Sequence, residues 1–402
     1  MDMVLIDGLE KPVSLLSASL FTEDEESEQT LLNCLKGSRY ARIDGFRGGV
    51  KEAIQKFSKE DSPSLLVIDI SMSEMPLSDL QALANVCAPD IRVIAIGRTD
   101  SVALYRNLIS CGVSDYFVKP LPQDLLYQSI HGEAKNQEDG GTRTGKIVSL
   151  CGVSGGVGVS ALVCSLGQML SAEASRRTMI VDLDFELGDC GHHFGMGGRG
   201  RALSLWENPE RLDALLIERA AQTIEERLDI LFAEHLDAGP TAQKIEVFHK
   251  LKDHLKKRYH FILLDIVAEN FAQKIAFLEH SETAILIFEP GMLSLRKVKL
   301  ILDTVPDQGI SVRYILVLSQ TRPVQRYGCS LAQIEEFLGR KVDIILPYEG
   351  KFAEKAVLDA VPLSSRSLKY KNAVLKLLGI LTGSERSSSR RVFTPFPFLA
   401  RR

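Results

Sequence analysis

This sequence predicts an α/β protein with two parallel sheets in tandem, each covered by helices on both faces. Three observations carry the prediction: short apolar runs that alternate with helical periodicity, a polar stretch dividing two such series, and a 402-residue chain long enough for two cores. The runs are Leu65–Ile70, Arg92–Ile96, Ile147–Leu150, Met179–Val181, Phe261–Leu264, Ala284–Phe288 and Tyr314–Leu318. They are continuous rather than alternating, as expected of strands buried on both faces. Helical periodicity is clearest over Ser27–Lys36, Ala103–Cys111, Arg211–Arg219 and Ile334–Leu338. The divider, residues 132–145 (GEAKNQEDGGTRTG), combines glycine and charge with almost no apolar side chain, the composition of a domain linker. It separates a first domain, 1–131, from a second, 146–382. Residues 383–402, with five arginines against Glu385, read as a disordered basic tail.

Composition narrows the function classes. Hydrophobic residues make up 45% and charged residues 25%, which is ordinary for a globular chain. A formal net charge of −4 argues against a general polyanion partner. No apolar stretch approaches the roughly 18–20 residues that a membrane span requires. The opening residues MDMVLIDGLEK lack the apolar core of a signal peptide. The seven cysteines form no CxxC pair and sit mostly inside apolar runs, the pattern of buried free thiols in a reducing compartment. The expectation is a soluble cytoplasmic protein that meets a membrane only indirectly, through a partner.

In the first domain, LLVIDISMSEMPLSDLQAL reads as a strand ending in Asp69, a loop and a helix. The stretch Arg92–Pro120 resembles, without gaps, the last third of response-regulator receivers, which have the CheY-like (flavodoxin-like) fold. The resemblance puts Asp69 at the phosphoacceptor position and Lys119, followed by Pro120, at the position of its lysine partner. An aspartyl phosphate also needs Mg²⁺ held by two further carboxylates and a hydroxyl to bond the phosphoryl group. Gly97 stands at the hydroxyl position and cannot donate. With Ser17–Ser19 on the first strand, Glu23 and Asp24 supply the acidic pair under only one possible register. The expectation is therefore a pseudo-receiver used for docking or dimerisation, with a phosphorylation-controlled response regulator as the alternative.

In the second domain, CGVSGGVGVSAL follows an apolar strand and opens a helix. That is the setting in which a glycine-rich loop wraps phosphates: glycines let backbone N–H groups approach oxygens, and the helix N-terminus favours negative charge. The candidate cradle is Gly155, Gly156, Val157, Gly158, Val159, Ser160 and Ala161, with Ser160 also placed to hold Mg²⁺. The pattern resembles the deviant Walker A motif of MinD/ParA ATPases, K-G-G-x-G-K-[ST], with both lysines replaced. Ser154 occupies the signature position, which in that family reaches the partner's nucleotide, and Val159 replaces the lysine that spans the β- and γ-phosphates. Losing that ammonium removes transition-state stabilisation usually worth several kcal/mol. Two further segments follow in the family's order. In VDLDFELGD, Asp182 and Asp184 match acidic positions, and the resemblance makes Asp184 the residue that positions the attacking water. In FILLDI, Asp265 matches the Walker B aspartate that supports Mg²⁺. Together these imply a P-loop NTPase domain with a mostly parallel sheet, ATP or ADP with Mg²⁺ as cofactor, and little or no hydrolysis.

The remainder of the second half resembles the TadZ/CpaE family, the MinD-like proteins of Tad (Flp) pilus assembly. The resemblance lies in RLDALLIERAAQTIEERLDIL as a helical insert, and in FEPGMLSLRKVKLIL with Glu289, Pro290, Ser294 and Arg296. It continues in LGRKVDIILPYEGKFAEKAVLDAVPL, with Pro347 at the turn that borders the base. It implies a homodimer that marks a cell pole on the inner face of the membrane and recruits the secretion ATPase and other pilus assembly proteins, with no specific nucleic acid. The chain departs from the family at Val267 and Ala268, where proline and arginine are usual, and at Ser319–Gln320, where the base-contact pair would be. One alternative is an active ATPase drawing on another cation, such as Arg199, Arg201 or Arg296. Another is partitioning on DNA, but that needs a basic stripe, and Lys252–Arg258 is short. His192 and His193 beside Cys190 read as a turn rather than a metal site, and Trp206 as a packing residue.

Overall fold

Five of the six residues of the first strand, Ser17–Thr22 (β1), are buried, which places it inside a sheet rather than at an edge. The computed structural model describes residues 16–60, 62–89, 91–131, 144–184, 188–197, 200–202, 205, 212–233, 241–266, 271–307, 310–322 and 329–383. The expected linker up to 143, the basic tail beyond Gly383, Arg199, Trp206, Val267 and Ala268 lie outside the described residues.

The N-terminal unit continues with α1 (Glu25–Leu35), β2 (Arg42–Arg47), α2 (Val50–Phe57), β3 (Leu65–Asp69) and α3 (Pro76–Val86), then β4 (Arg92–Gly97), α4 (Val102–Ser110), β5 (Asp115–Val118) and α5 (Gln123–His131). Its strands pair in parallel in the order β2-β1-β3-β4-β5, the flavodoxin-like arrangement whose sites form outside the carboxyl ends of the strands. β3 is buried throughout because helices cover both its faces, which is why it reads as an unbroken apolar run. Asp24 starts α1 by accepting a hydrogen bond from Ser27 N at 2.8 Å.

The C-terminal unit runs β6 (Lys146–Gly152), α6 (Val159–Ala172), β7 (Thr178–Asp182), α7 (Ala214–Ala220), β8 (Gln222–Glu225), β9 (Leu228–Leu231), α8 (Thr241–Arg258) and β10 (Phe261–Ile266). It continues with α9 (Phe271–Leu278), β11 (Thr283–Phe288), α10 (Met292–Asp307), β12 (Arg313–Ser319), α11 (Leu331–Leu338), β13 (Ile344–Leu346), α12 (Gly350–Leu358) and α13 (Leu368–Thr382). The eight strands are ordered β13-β12-β11-β6-β10-β7-β9-β8, and only the β8–β9 pair is antiparallel. One face is closed by α6 and α13 through Leu162, Leu166, Val374 and Leu377, the other by α8, α9 and α10 through Phe248, Ile275, Leu278 and Val298. β6 lies centrally, so the loop that follows it opens at the carboxyl end of the sheet.

One sequence expectation is corrected here. The segment expected to be a helical insert is helical only over α7, and its second half is the β8–β9 hairpin. β9 pairs in parallel with β7 and buries Leu228, Ile230 and Leu231, so tertiary pairing overrides a sequence with helix-like periodicity.

The two units meet at Arg227, in the turn between β8 and β9. This buried guanidinium donates to Val86 O at 2.8 Å and to Phe57 O, the last carbonyls of α3 and α2. Helix C-termini carry unpaired carbonyls and partial negative charge, so a cation is well placed there. His260 stands beside it, with Nε2 3.3 Å from Ala84 O and Nδ1 accepting from Arg177 N at 3.1 Å. Burial, then the neighbouring Arg176, hold its imidazole down at about 4. All seven cysteines are free, and five of them are buried. Among the described residues, no helix is long and apolar enough to cross a membrane.

Candidate nucleotide cradle and acidic clusters

The loop between β6 and α6 has the shape that its sequence predicts. Gly156 and Gly158 have φ of +72° and +88°, conformations that L side chains rarely adopt. A Cβ added at Gly155, Gly156 or Gly158 would meet nothing within 4 Å, so the loop is open where a ligand would approach. The first turn of α6, with Ser160 and Ala161, completes it. Val157 is fully buried and pins the loop to the core, so only its backbone faces the cradle. Val159 also turns inward: its Cγ2 lies 2.8 Å from the position of a Cβ on Gly152. Ser154 Oγ is 3.4 Å from Ser294 Oγ on α10. Pro347 follows the edge strand β13 at the same end of the sheet, with β12 and β11 between it and β6.

Beside the loop, Asp182, Cys190 and Asp265 bring three buried ligand atoms within 4.8 Å of one another. Asp182 is occupied by its own loop, accepting from Asp184 N at 3.0 Å and Cys190 N at 3.2 Å. Asp265 Oδ2 accepts from the Cys190 thiol at 3.2 Å, while Oδ1 is buried without a hydrogen-bond partner among the described residues. Burial and then the Asp265 charge push the Asp182 carboxyl well above its usual range, and Asp265 is raised by burial against the pull of Ser160 and Cys190. Asp184 is only half-buried. Magnesium nucleotide fits these residues on two counts, the open glycine cradle and the orphaned Asp265 oxygen beside Ser160. The carboxylates lack a cation from the loop itself, because positions 154 and 159 carry none.

In the N-terminal unit the structure selects the register that the sequence left open. β1 ends at Thr22, so Glu23 and Asp24 stand at its carboxyl end, and Lys119 bridges Asp24 and Asp69. The Lys119–Pro120 peptide is cis. Burial raises the Asp24 carboxyl, but the Lys119 ammonium and the Ser27 N–H outweigh it and hold the group at about 2. The Asp69 side chain is 0% exposed, and accepts from Glu23 N at 3.1 Å and Ser71 N at 2.9 Å as well as from Lys119. Both of its oxygens are thus hydrogen-bonded and covered. The missing hydroxyl at Gly97 has a structural counterpart. A Cβ there would fall 2.7 Å from the hydroxyl of buried Tyr116, which is turned inward and bonds Thr99 O at 2.9 Å.

No protein-family model matches the chain. The chemotaxis protein CheY of Listeria monocytogenes is 29% identical over 119 residues, 29% of this chain and 97% of CheY. The cell division ATPase MinD of Pyrococcus furiosus superposes with a TM-score of 0.50 at 18% identity, over 60% of this chain and 99% of that one. The pilus assembly protein CpaE2 of Sinorhizobium meliloti is 32% identical with a TM-score of 0.27, over 29% of this chain and 98% of that one. The fold is a CheY-like receiver followed by a MinD/ParA-type P-loop domain.

In the P-loop domain, one residue escaped sequence reasoning. Lys274, the lone charged residue of α9 (FAQKIAFL), donates from Nζ to Gly152 O at 2.7 Å, where the strand passes into the loop. Its charge is felt at the Cys151 thiol, which burial nonetheless pushes up to about 11. A single charged residue in an otherwise uncharged helix after β10 was the available signal. By contrast, Arg201 and Arg296, the cations that the sequence suggested, are exposed. His192–Phe194 form a short 3₁₀ turn, as expected.

Proposed function

We propose that this chain is a Tad/Flp-type pilus assembly and localisation protein: a MinD/ParA-like dimeric scaffold that binds nucleotide weakly and positions its machinery rather than turning nucleotide over. The observation that carries the reading is a phosphate loop with its glycine geometry intact and its lysine positions filled by Ser154 and inward-turned Val159. The resemblance of the second half of the sequence to TadZ/CpaE proteins, preceded by a receiver-like half, supports the pilus assignment. The secretion ATPase and other pilus assembly proteins are the proposed partners, met at a cell pole.

When bound, magnesium nucleotide would supply a charge-dense bridge that a second protomer could complete. The backbone N–H groups of Gly155–Ala161 would hold its phosphates, Ser160 and Asp265 the metal, and Pro347 would border the base. Asp184 is the residue proposed to orient water in any residual hydrolysis, but without a loop lysine it has little charge stabilisation to work with. In the receiver, buried Asp69, hydrogen-bonded at both oxygens and paired with Lys119, favours a docking module over a phosphorylation switch.

Calorimetric titration of ATP and ADP with Mg²⁺, with phosphate release followed on the same sample, tests the reading. Weak binding without release is expected, and Val159→Lys should tighten binding by about 10-fold or more, the value of one charge-assisted hydrogen bond. Steady turnover by the unaltered protein would overturn the scaffold reading.

A further inference from the structure

We propose that Lys274 is the cation of the phosphate cradle, a lysine delivered from α9 in place of the one absent from the loop, and that it contacts the polyphosphate of a nucleoside di- or triphosphate. The proposal rests on the nucleotide-binding reading above.

Three features lead to it. First, the two sites converge on one residue. The Val159 methyl packs against Gly152, 2.8 Å from where a Cβ would stand, and the Lys274 ammonium bonds the carbonyl of that same Gly152 at 2.7 Å. An ammonium removed from one face of the loop's root is thus restored from the other. Second, the helix is held in rotation by its core side. Ile275, Phe277 and Leu278 are buried beneath the sheet, which fixes Lys274 toward the end of β6 rather than toward solvent. Third, the ammonium keeps donors in reserve. Among the described residues no carboxylate pairs with it, and one carbonyl engages only one of its three N–H groups. A half-buried ammonium with spare donors stands at the root of a glycine loop that is open at Gly155, Gly156 and Gly158. Phosphate oxygens are the chemistry that would satisfy it.

The competing account is that Lys274 merely pins the Gly152 carbonyl. Lys274→Gln separates the two, because an amide can still donate to the carbonyl but carries no charge. In calorimetric titrations of the full chain with MgADP, Lys274→Gln should weaken binding at least 10-fold, with the melting temperature of the nucleotide-free protein unchanged. Lys274→Arg should retain most of the affinity, and Val159→Lys combined with Lys274→Gln should recover it. If the unaltered protein binds and Lys274→Gln binds equally well, the proposal is overturned while the cradle stands. If the unaltered protein fails to bind but Val159→Lys binds, the cradle is real and Lys274 does not serve it. If neither binds, the nucleotide reading falls and the proposal with it.

Discussion

Replacing Arg227 with methionine should uncouple the receiver from the P-loop domain. The change keeps the apolar stem and removes the fork that reaches Val86 O at 2.8 Å and Phe57 O. Hydrogen bonds to a charged donor contribute about 1.5–3 kcal/mol each, so two give about 3–6 kcal/mol gross. Each acceptor ends a helix, which adds a few tenths of a kcal/mol from the aligned peptide dipoles. Against this stands relief from desolvating a guanidinium on a residue only 8% exposed, a cost of several kcal/mol that methionine does not bear. The net loss of docking is about 1–3 kcal/mol. Calorimetry of the full chain should show the receiver melting earlier and apart from the larger domain. Hydrogen exchange should accelerate at Ser58 and Cys87, whose amides follow the two capped carbonyls. By the usual conversion, 2 kcal/mol corresponds to roughly 30-fold in protection. Unchanged melting and unchanged exchange at both positions would refute the idea that Arg227 holds the units together.

Lys119→Met should destabilise the receiver by about 3–5 kcal/mol in urea titrations, because it leaves Asp24 and buried Asp69 facing each other without a cation; adding Asp69→Asn should recover much of the loss. Gly97→Thr should cost about 1–3 kcal/mol by driving a side chain against the Tyr116 hydroxyl and Ile70, and Tyr116→Ala in that background should relieve it. His260 has a folded pKa near 4, below its unfolded value, so its neutral form contributes fully above about pH 6.5 and that stability is lost as pH falls toward 4. The loss should be about 1–3 kcal/mol, and His260→Gln should flatten the pH dependence of unfolding across that window.

The fold was legible where burial leaves a mark on the sequence. β3 and β10 are buried at every position and stand out as LLVID and FILLDI. β2 does not, because as an edge strand it buries none of its residues and carries Arg42, Asp44 and Arg47. β9 was read as helix, since pairing with β7 is a contact between distant segments that no local window reports. The open glycine loop after β6 was legible because glycine spacing is itself the geometry, and the sequence already shows no basic side chain at positions 154 and 159. The contact of Lys274 with Gly152 was not, because it depends on α9 packing against the root of the loop. The register of Glu23 and Asp24 became clear only once β1 ended at Thr22 beside Lys119.

Arg227 grips the receiver at the start of β9, where its carbonyl also accepts from Thr178 N at the first residue of β7. The glycine loop opens at the far ends of the neighbouring strands, and a five-residue strand such as β7 spans ~15 Å. The chain therefore has two poles of its own. Something that seizes the receiver leaves the loop's mouth uncovered, and something that closes over the mouth leaves the receiver in reach. The surface that the receiver covers and the mouth of the loop thus lie at opposite ends of the strands, and contact at one leaves the other free.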